Sequence, residues 1–294
     1  MRFQLPSRVC SDFEGYNYLA SLNKLSSVLV FDTIVIDFKE NTWFEANLCA
    51  ILGALFSKAQ DNFNNIKFEN LPDKQRDILS RNHFLASFGG EKIEDFNNTT
   101  IKYRKNRLTD EKLIHHFLYN DLLGKQEFPK LSPLAHKEIE RSIFEIFSNA
   151  ILHGNCEFVY SCGQYFPRKA PPRIDFTIVD MGKSIKKNVC DFFGKEISGI
   201  DSIKWALKEN STTKPIEKNI PGGLGLKLIC DFVKLNNGKI QIVSDTGCWQ
   251  LNGNKEDSFV LNYPFPGTLV NLEFNLGDQS LYCLKEEEPE SIIF

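Results

Sequence analysis

Glu145 and Asn149 place a carboxylate and an amide four residues apart, Asp180-Met-Gly182 follows, and Gly222-Gly223-Leu224-Gly225-Leu226 completes the series. An amide oxygen is a hard ligand for Mg²⁺, and a carboxylate beside it can orient or deprotonate a water. A carboxylate at a strand end can accept the exocyclic amine of adenine, and a glycine two residues on, having no Cβ, lets main chain approach the base. Glycines just before a helix leave its first amides open to phosphate oxygens, with the positive end of the helix dipole behind them. In this order the segments suit a nucleotide pocket without a P-loop. Neither Gly-x-x-x-x-Gly-Lys-[Ser/Thr] nor Gly-x-Gly-x-x-Gly occurs in the chain.

Three elements must carry these residues. From Ala135 to His153 the apolar residues Ile139, Ile143, Ile146, Phe147, Ala150 and Ile151 recur at spacings of three and four, the period of a half-buried helix, and Ser132 and Pro133 suit its start. On that helix Glu145 and Asn149 lie about 40° apart around the axis, so both project to one side. From Arg173 to Asp180, Ile174, Phe176 and Ile178 alternate with Asp175, Thr177 and Val179, the pattern of a strand that ends in an acid and a tight turn. Lys227 onward is apolar at helical period, with Gly238 placed for a C-cap.

The three segments resemble the N-box and the first and second glycine boxes of the GHKL ATPases, the superfamily of gyrase, the Hsp chaperones, histidine kinases and MutL. The resemblance covers about half the chain, roughly Leu131 to Leu276. It implies Glu145 as general base, Asn149 as Mg²⁺ ligand, Asp180 as the adenine-binding acid, and Gly182 as the residue that clears room for the base. It places Gly222, Gly223, Leu224 and Gly225 along the triphosphate, and Thr268 in the last strand, supporting Asp180 through a water. The stretch between the boxes, residues 183 to 221, corresponds to the ATP lid, and its Asn210-Ser-Thr-Thr-Lys214 segment resembles the polar turn near the phosphates. Lys214 is the expected γ-phosphate contact, with Lys183 and Lys227 as rivals. Ser184 stands where the family has the second glycine of the first box, and Pro221 where a glycine is frequent.

The chain has 294 residues, 42% hydrophobic and 25% charged, which is ordinary globular usage and long enough for two domains. A formal net charge of −3 argues against a broad nucleic-acid surface, and the run Lys102, Arg104, Lys105, Arg107 reads as an exposed linker. No apolar stretch has the length of a signal peptide core or a membrane span, so the expected location is cytoplasmic, with no membrane partner. Eight cysteines include no Cys-x-x-Cys pair and read as a reduced set. His153, Cys156 and Cys162 lack a fourth ligand, so no metal other than Mg²⁺ is expected.

The first third alternates strand and helix: Thr33–Asp37, a helix from Trp43 to Lys58, Asn65–Glu69, and a helix from Pro72 to Ser80. This order, with the segment from Ile78 to Phe88, resembles a STAS domain. In that family the phosphoacceptor serine follows an aspartate at the start of the first helix; here Glu45-Ala46 stands there, and alanine cannot accept phosphate. The expected role is therefore docking. The expected organisation is an α+β protein. Residues 1–108 form a STAS-like α/β domain, 109–130 a helical linker, and 131–278 a GHKL-type α/β sandwich with a mixed sheet and helices on one face. A tail follows over 279–294. Residues 125 to 280 are expected to bind nucleotide when expressed alone.

Two functions fit the resemblance. One is an ATP-hydrolysing, nucleotide-gated switch for a protein partner, with a homodimer compatible; the other is a protein kinase of the anti-sigma-factor or histidine-kinase type. His115 and His116, on a short helical stretch from Asp110 to Leu123, read as surface residues rather than phosphoacceptors.

Overall fold

The computed structural model describes residues 1–208, 211, 213 and 224–287. The first third runs β1 (Arg2–Gln4), β2 (Arg8–Val9), α1 (Phe13–Ser26), β3 (Thr33–Asp37), β4 (Trp43–Phe44), α2 (Cys49–Asp61), β5 (Asn65–Glu69) and α3 (Asp73–Arg81). Next come β6 (Thr100–Asn106), α4 (Glu111–Phe117), β7 (Lys130–Leu131), α5 (Pro133–Leu152), β8 (Val159–Phe166) and β9 (Arg173–Asp180). The chain continues through α6 (Ile185–Phe193), α7 (Gly199–Ala206), α8 (Leu224–Leu235), β10 (Lys239–Asn252), β11 (Lys255–Asn275) and β12 (Leu281–Tyr282).

The architecture is α+β. A five-stranded sheet in the order β10-β11-β9-β8-β6 is antiparallel at every pairing, which corrects the expectation of a mixed sheet. Parallel pairing is found instead in the small β1-β3-β5 sheet of the first third. β6, within the first 108 residues, pairs with β8 and so joins the large sheet. The helix expected from Trp43 begins only at Cys49, since Trp43 and Phe44 pair with Arg8 and Val9 as a short parallel bridge.

Alternation along β9 sorts the core into two layers. Ile174, Phe176 and Ile178 pack with Ile139, Ile143 and Phe147 of α5 and with Ile229 and Val233 of α8. Val179, with Tyr160 and Cys162 of β8 and Val243 of β10, packs instead on α1 and α2. Helices therefore cover both faces of the sheet, not one. The first third lies as a layer of protein over the face that a strand with Asp175 and Thr177 alone suggests is wet.

That buried face is polar where the two layers meet. Asn47 is fully buried, and its amide nitrogen lies 2.8 Å from Ser11 Oγ, 2.9 Å from Thr177 Oγ1 and 3.1 Å from Asn271 Oδ1. Tyr16 donates its hydroxyl to Gln241 Oε1 at 2.8 Å. Arg173 reaches Glu45 at 2.9 Å, Asp175 at 3.1 Å and Glu273 at 3.2 Å. Burial, reinforced by the nearby Glu273, pushes the Asp175 carboxyl well above the usual range, against the opposing pull of Arg173. Glu45 also accepts the Ser11 amide at 2.7 Å, so the residue just before the position matched to a phosphoacceptor is part of a buried ion-pair cluster.

Candidate functional site

Helix α5 begins where Ser132 accepts the Ala135 amide at 3.0 Å and Pro133 enters the first turn, as the sequence indicates. It delivers Asn149 to a cavity of ≈ 150 Å³ lined mainly by apolar side chains, among them Ile146, Ile178, Trp205, Leu226 and Val270. Asp180 and Thr268 line the same cavity. Three of the expected site residues, from a helix and two neighbouring strands, thus converge on one space.

Asp180 ends β9 opposite Thr268 of β11 and is 4% exposed. Its Oδ1 accepts the Gly182 amide at 2.9 Å, and the Thr268 amide lies close enough to favour its charged form. Burial pushes its pKa up to about 7, although both amides favour the charged form. The Thr268 hydroxyl lies 3.1 Å from Ser244 Oγ, which donates to the Gly267 carbonyl at 2.8 Å.

A Cβ on Gly182 would lie 2.1 Å from the Gly154 carbonyl oxygen, so its bare Cα admits the crossing chain after α5. Lys183 donates its amide to that same carbonyl at 2.6 Å. The contribution of Gly182 to the pocket is its N–H on Asp180.

Glu145 sits one turn before Asn149, outside the cavity lining, and its Oε2 accepts the Gly225 amide at 3.1 Å. A Cβ on Gly225 would fall 2.3 Å from that oxygen. The glycine at the entrance of α8 is thus what lets the carboxylate close on a helix-end amide. Leu224 is the first residue of α8. Lys214, Gly222 and Gly223 lie outside the described residues. Gly238 does not take the left-handed position after α8; Asn237 does, with φ 51°.

Part of the stretch expected as a lid is helical. Ser184, in the place of a glycine, caps α6 by accepting the Lys187 amide at 3.2 Å, and Ser198 caps α7 by accepting the Asp201 amide at 3.1 Å. Ile185, Asn188 and Val189 of α6 and Trp205 of α7 wall the cavity. Lys183 also lines it but is paired with Asp191 at 2.7 Å, and Lys227 lines a separate groove with Asp231 and Glu256. His153 caps α5 and its Nδ1 lies 3.1 Å from Thr213 Oγ1 at the cavity.

Trp205, Asn188 and Gly154 are site residues that the motifs do not single out. The Ser-x-x-Asp start of α7 is the readable signal for Trp205, since it marks a helix and hence a packed tryptophan. His115 stacks on Phe144 with ring centres 4.1 Å apart and meets Glu140 at 2.9 Å, a structural contact on α5.

No helix among the described residues is long and apolar enough to cross a membrane. In comparisons with protein families, with curated proteins and with solved structures, nothing matches this chain.

Proposed function

We propose that the chain binds ATP with Mg²⁺ and hydrolyses it slowly as a nucleotide-gated switch for a partner protein, in the manner of a GHKL-type ATPase. The observation that carries this reading is the convergence of Asn149, Asp180 and Thr268 on one apolar cavity, with Glu145 at the glycine entrance of α8.

In this reading the base enters between Ile178, Val270 and Trp205 with its amine on Asp180, whose carboxyl is already held by the Gly182 amide. The Asn149 side chain makes no hydrogen bond among the described residues and lines the cavity, which suits a hard oxygen ligand. Among those residues no group of three or more His, Cys, Asp or Glu could hold a metal, so Mg²⁺ would arrive with the phosphates and supply charge neutralisation there. Glu145 holds the Gly225 amide until a phosphate oxygen takes that amide over, and the freed carboxylate is then available to receive a proton from water. Lys214 is the proposed γ-phosphate contact.

Isothermal titration with Mg·ATP and with Mg·GTP, followed by phosphate release, tests this. Micromolar binding of ATP, lost in Asp180→Asn, with turnover lost in Glu145→Gln, supports it; equal ATP affinity of wild type and Asp180→Asn rejects the pocket. Transfer of label from γ-labelled ATP to a protein in extract, without free phosphate, would move the reading to the kinase alternative.

A further inference from the structure

On the opposite end of β9 from Asp180, the turn joining β8 to β9 faces α3 and the β2–β4 bridge across a groove of ≈ 890 Å³. No Asp or Glu is among its lining residues, whereas Lys74, Arg81, Arg168 and Lys169 are, in a chain whose net charge is −3. Arg81 is committed to Asp77 and Asp95. Lys74 and Arg168 are exposed and have no ion pair among the described residues, and Lys169 lies 5.5 Å from the Trp43 ring centre, with Arg8 5.8 Å from the same ring. Basic charge is thus gathered, unneutralised, around aromatic side chains.

Those aromatics are the second observation. Trp43 and Tyr165 are half-buried at the groove, and the indole Nε1 of Trp43 has no hydrogen-bond partner among the described residues. Asn97 and Thr42 add exposed polar tips along the wall. Cations alone would suit any acidic segment. Cations interleaved with ring faces suit a ligand that has negative charges and flat unsaturated faces together.

We propose that this groove binds single-stranded nucleic acid, with Lys74, Arg168 and Lys169 on the phosphates and Trp43 and Tyr165 against the bases. The site is separate from the proposed ATP cavity, with which it shares no lining residue, and does not depend on it.

The test is fluorescence anisotropy of the full chain with a labelled mixed-sequence oligonucleotide of about 12 nucleotides, a length within the usual single-strand footprint, over a salt series. Wild type is expected to bind with an affinity that falls as salt rises. The triple reversal Lys74→Glu, Arg168→Glu, Lys169→Glu should weaken binding at least tenfold and flatten the salt slope by about 0.7 for each phosphate that is no longer neutralised. Tyr165→Ala should weaken binding several-fold with the salt slope kept, as removal of a stacking partner requires. Unchanged thermal melting of each variant shows that the fold is intact; if a variant melts early, Lys74→Gln with Lys169→Gln replaces it and must still weaken binding. No binding at low salt, equal binding by the charge-reversed chain, or equal binding of an acidic peptide of the same charge overturns the proposal.

Discussion

The main-chain N–H of Gly225 points at the Glu145 carboxylate, 3.1 Å from its Oε2, and so ties the start of α8 to the middle of α5. One carboxylate thereby accepts an amide from the first turn of a helix, and in the proposed reading the same carboxylate is the proton acceptor for water.

Glu145→Gln keeps an oxygen for the Gly225 amide but removes the proposed base. Nucleotide affinity should be retained and phosphate release should fall by roughly 10²- to 10⁴-fold. Gly225→Ala should damage both, because its Cβ would meet Glu145 Oε2 at 2.3 Å. A coupled phosphate assay beside calorimetry separates the two; full turnover in Glu145→Gln would remove the residue from the chemistry.

The Asp180 carboxyl, held near neutrality by burial, makes stability depend on pH. Its folded pKa of about 7 lies above the ordinary 3.8, so between those values the folded chain holds more proton than the unfolded one. Stability from this group is complete below the lower value and drains as pH rises through 7, at up to about 1.4 kcal/mol per pH unit. Asp180→Asn removes that slope. In the absence of nucleotide it should melt higher than wild type at pH 8 and not at pH 4, while losing ATP affinity; identical melting profiles across pH would contradict a buried carboxyl.

Gly182→Ala forces a methyl group onto the Gly154 carbonyl, which a backbone crossing cannot yield cheaply. A loss of roughly 1–3 kcal/mol is expected. Chemical denaturation measures it, and a variant as stable as wild type would show that the two loops do not cross as described.

Residues 125–280 alone should not behave as an independent module. Without the first third, Tyr160, Cys162, Val179 and Leu269 become exposed, β8 is left without its partner β6, and Asp175 and Thr177 are left without Arg173's companion Glu45 and without Asn47. The fragment is expected to be insoluble or to bind a hydrophobic dye without a cooperative melt. A monodisperse fragment with a sharp transition would restore the boundary drawn from sequence.

The elements that position the cavity were legible because each announces itself locally. Helix α5 carries a Ser-Pro start and an unbroken apolar period, and β9 matches the expected Arg173–Asp180 run to the residue. What lay beyond reach was non-local. The burial of Thr177 and Arg173 is one such case: their partners across the fold, Asn47 for Thr177 and Glu45 for Arg173, are more than a hundred residues away and nothing in the β9 sequence names them. The close approach of Gly182 to Gly154 is another, because Gly154 sits on another part of the chain. Ser184 and Ser198 do signal α6 and α7, and the family resemblance to a lid outweighs those caps.

Tyr16 and Gln241 are joined although 225 positions separate them along the chain. At a synthesis speed of about 5–20 residues per second, the amino-terminal layer emerges from the ribosome roughly 10–45 s before its counterpart strand exists. Until β10 and β11 are made, the side of α1 that packs on them stays uncovered, a delay set by the order in which this chain is synthesised.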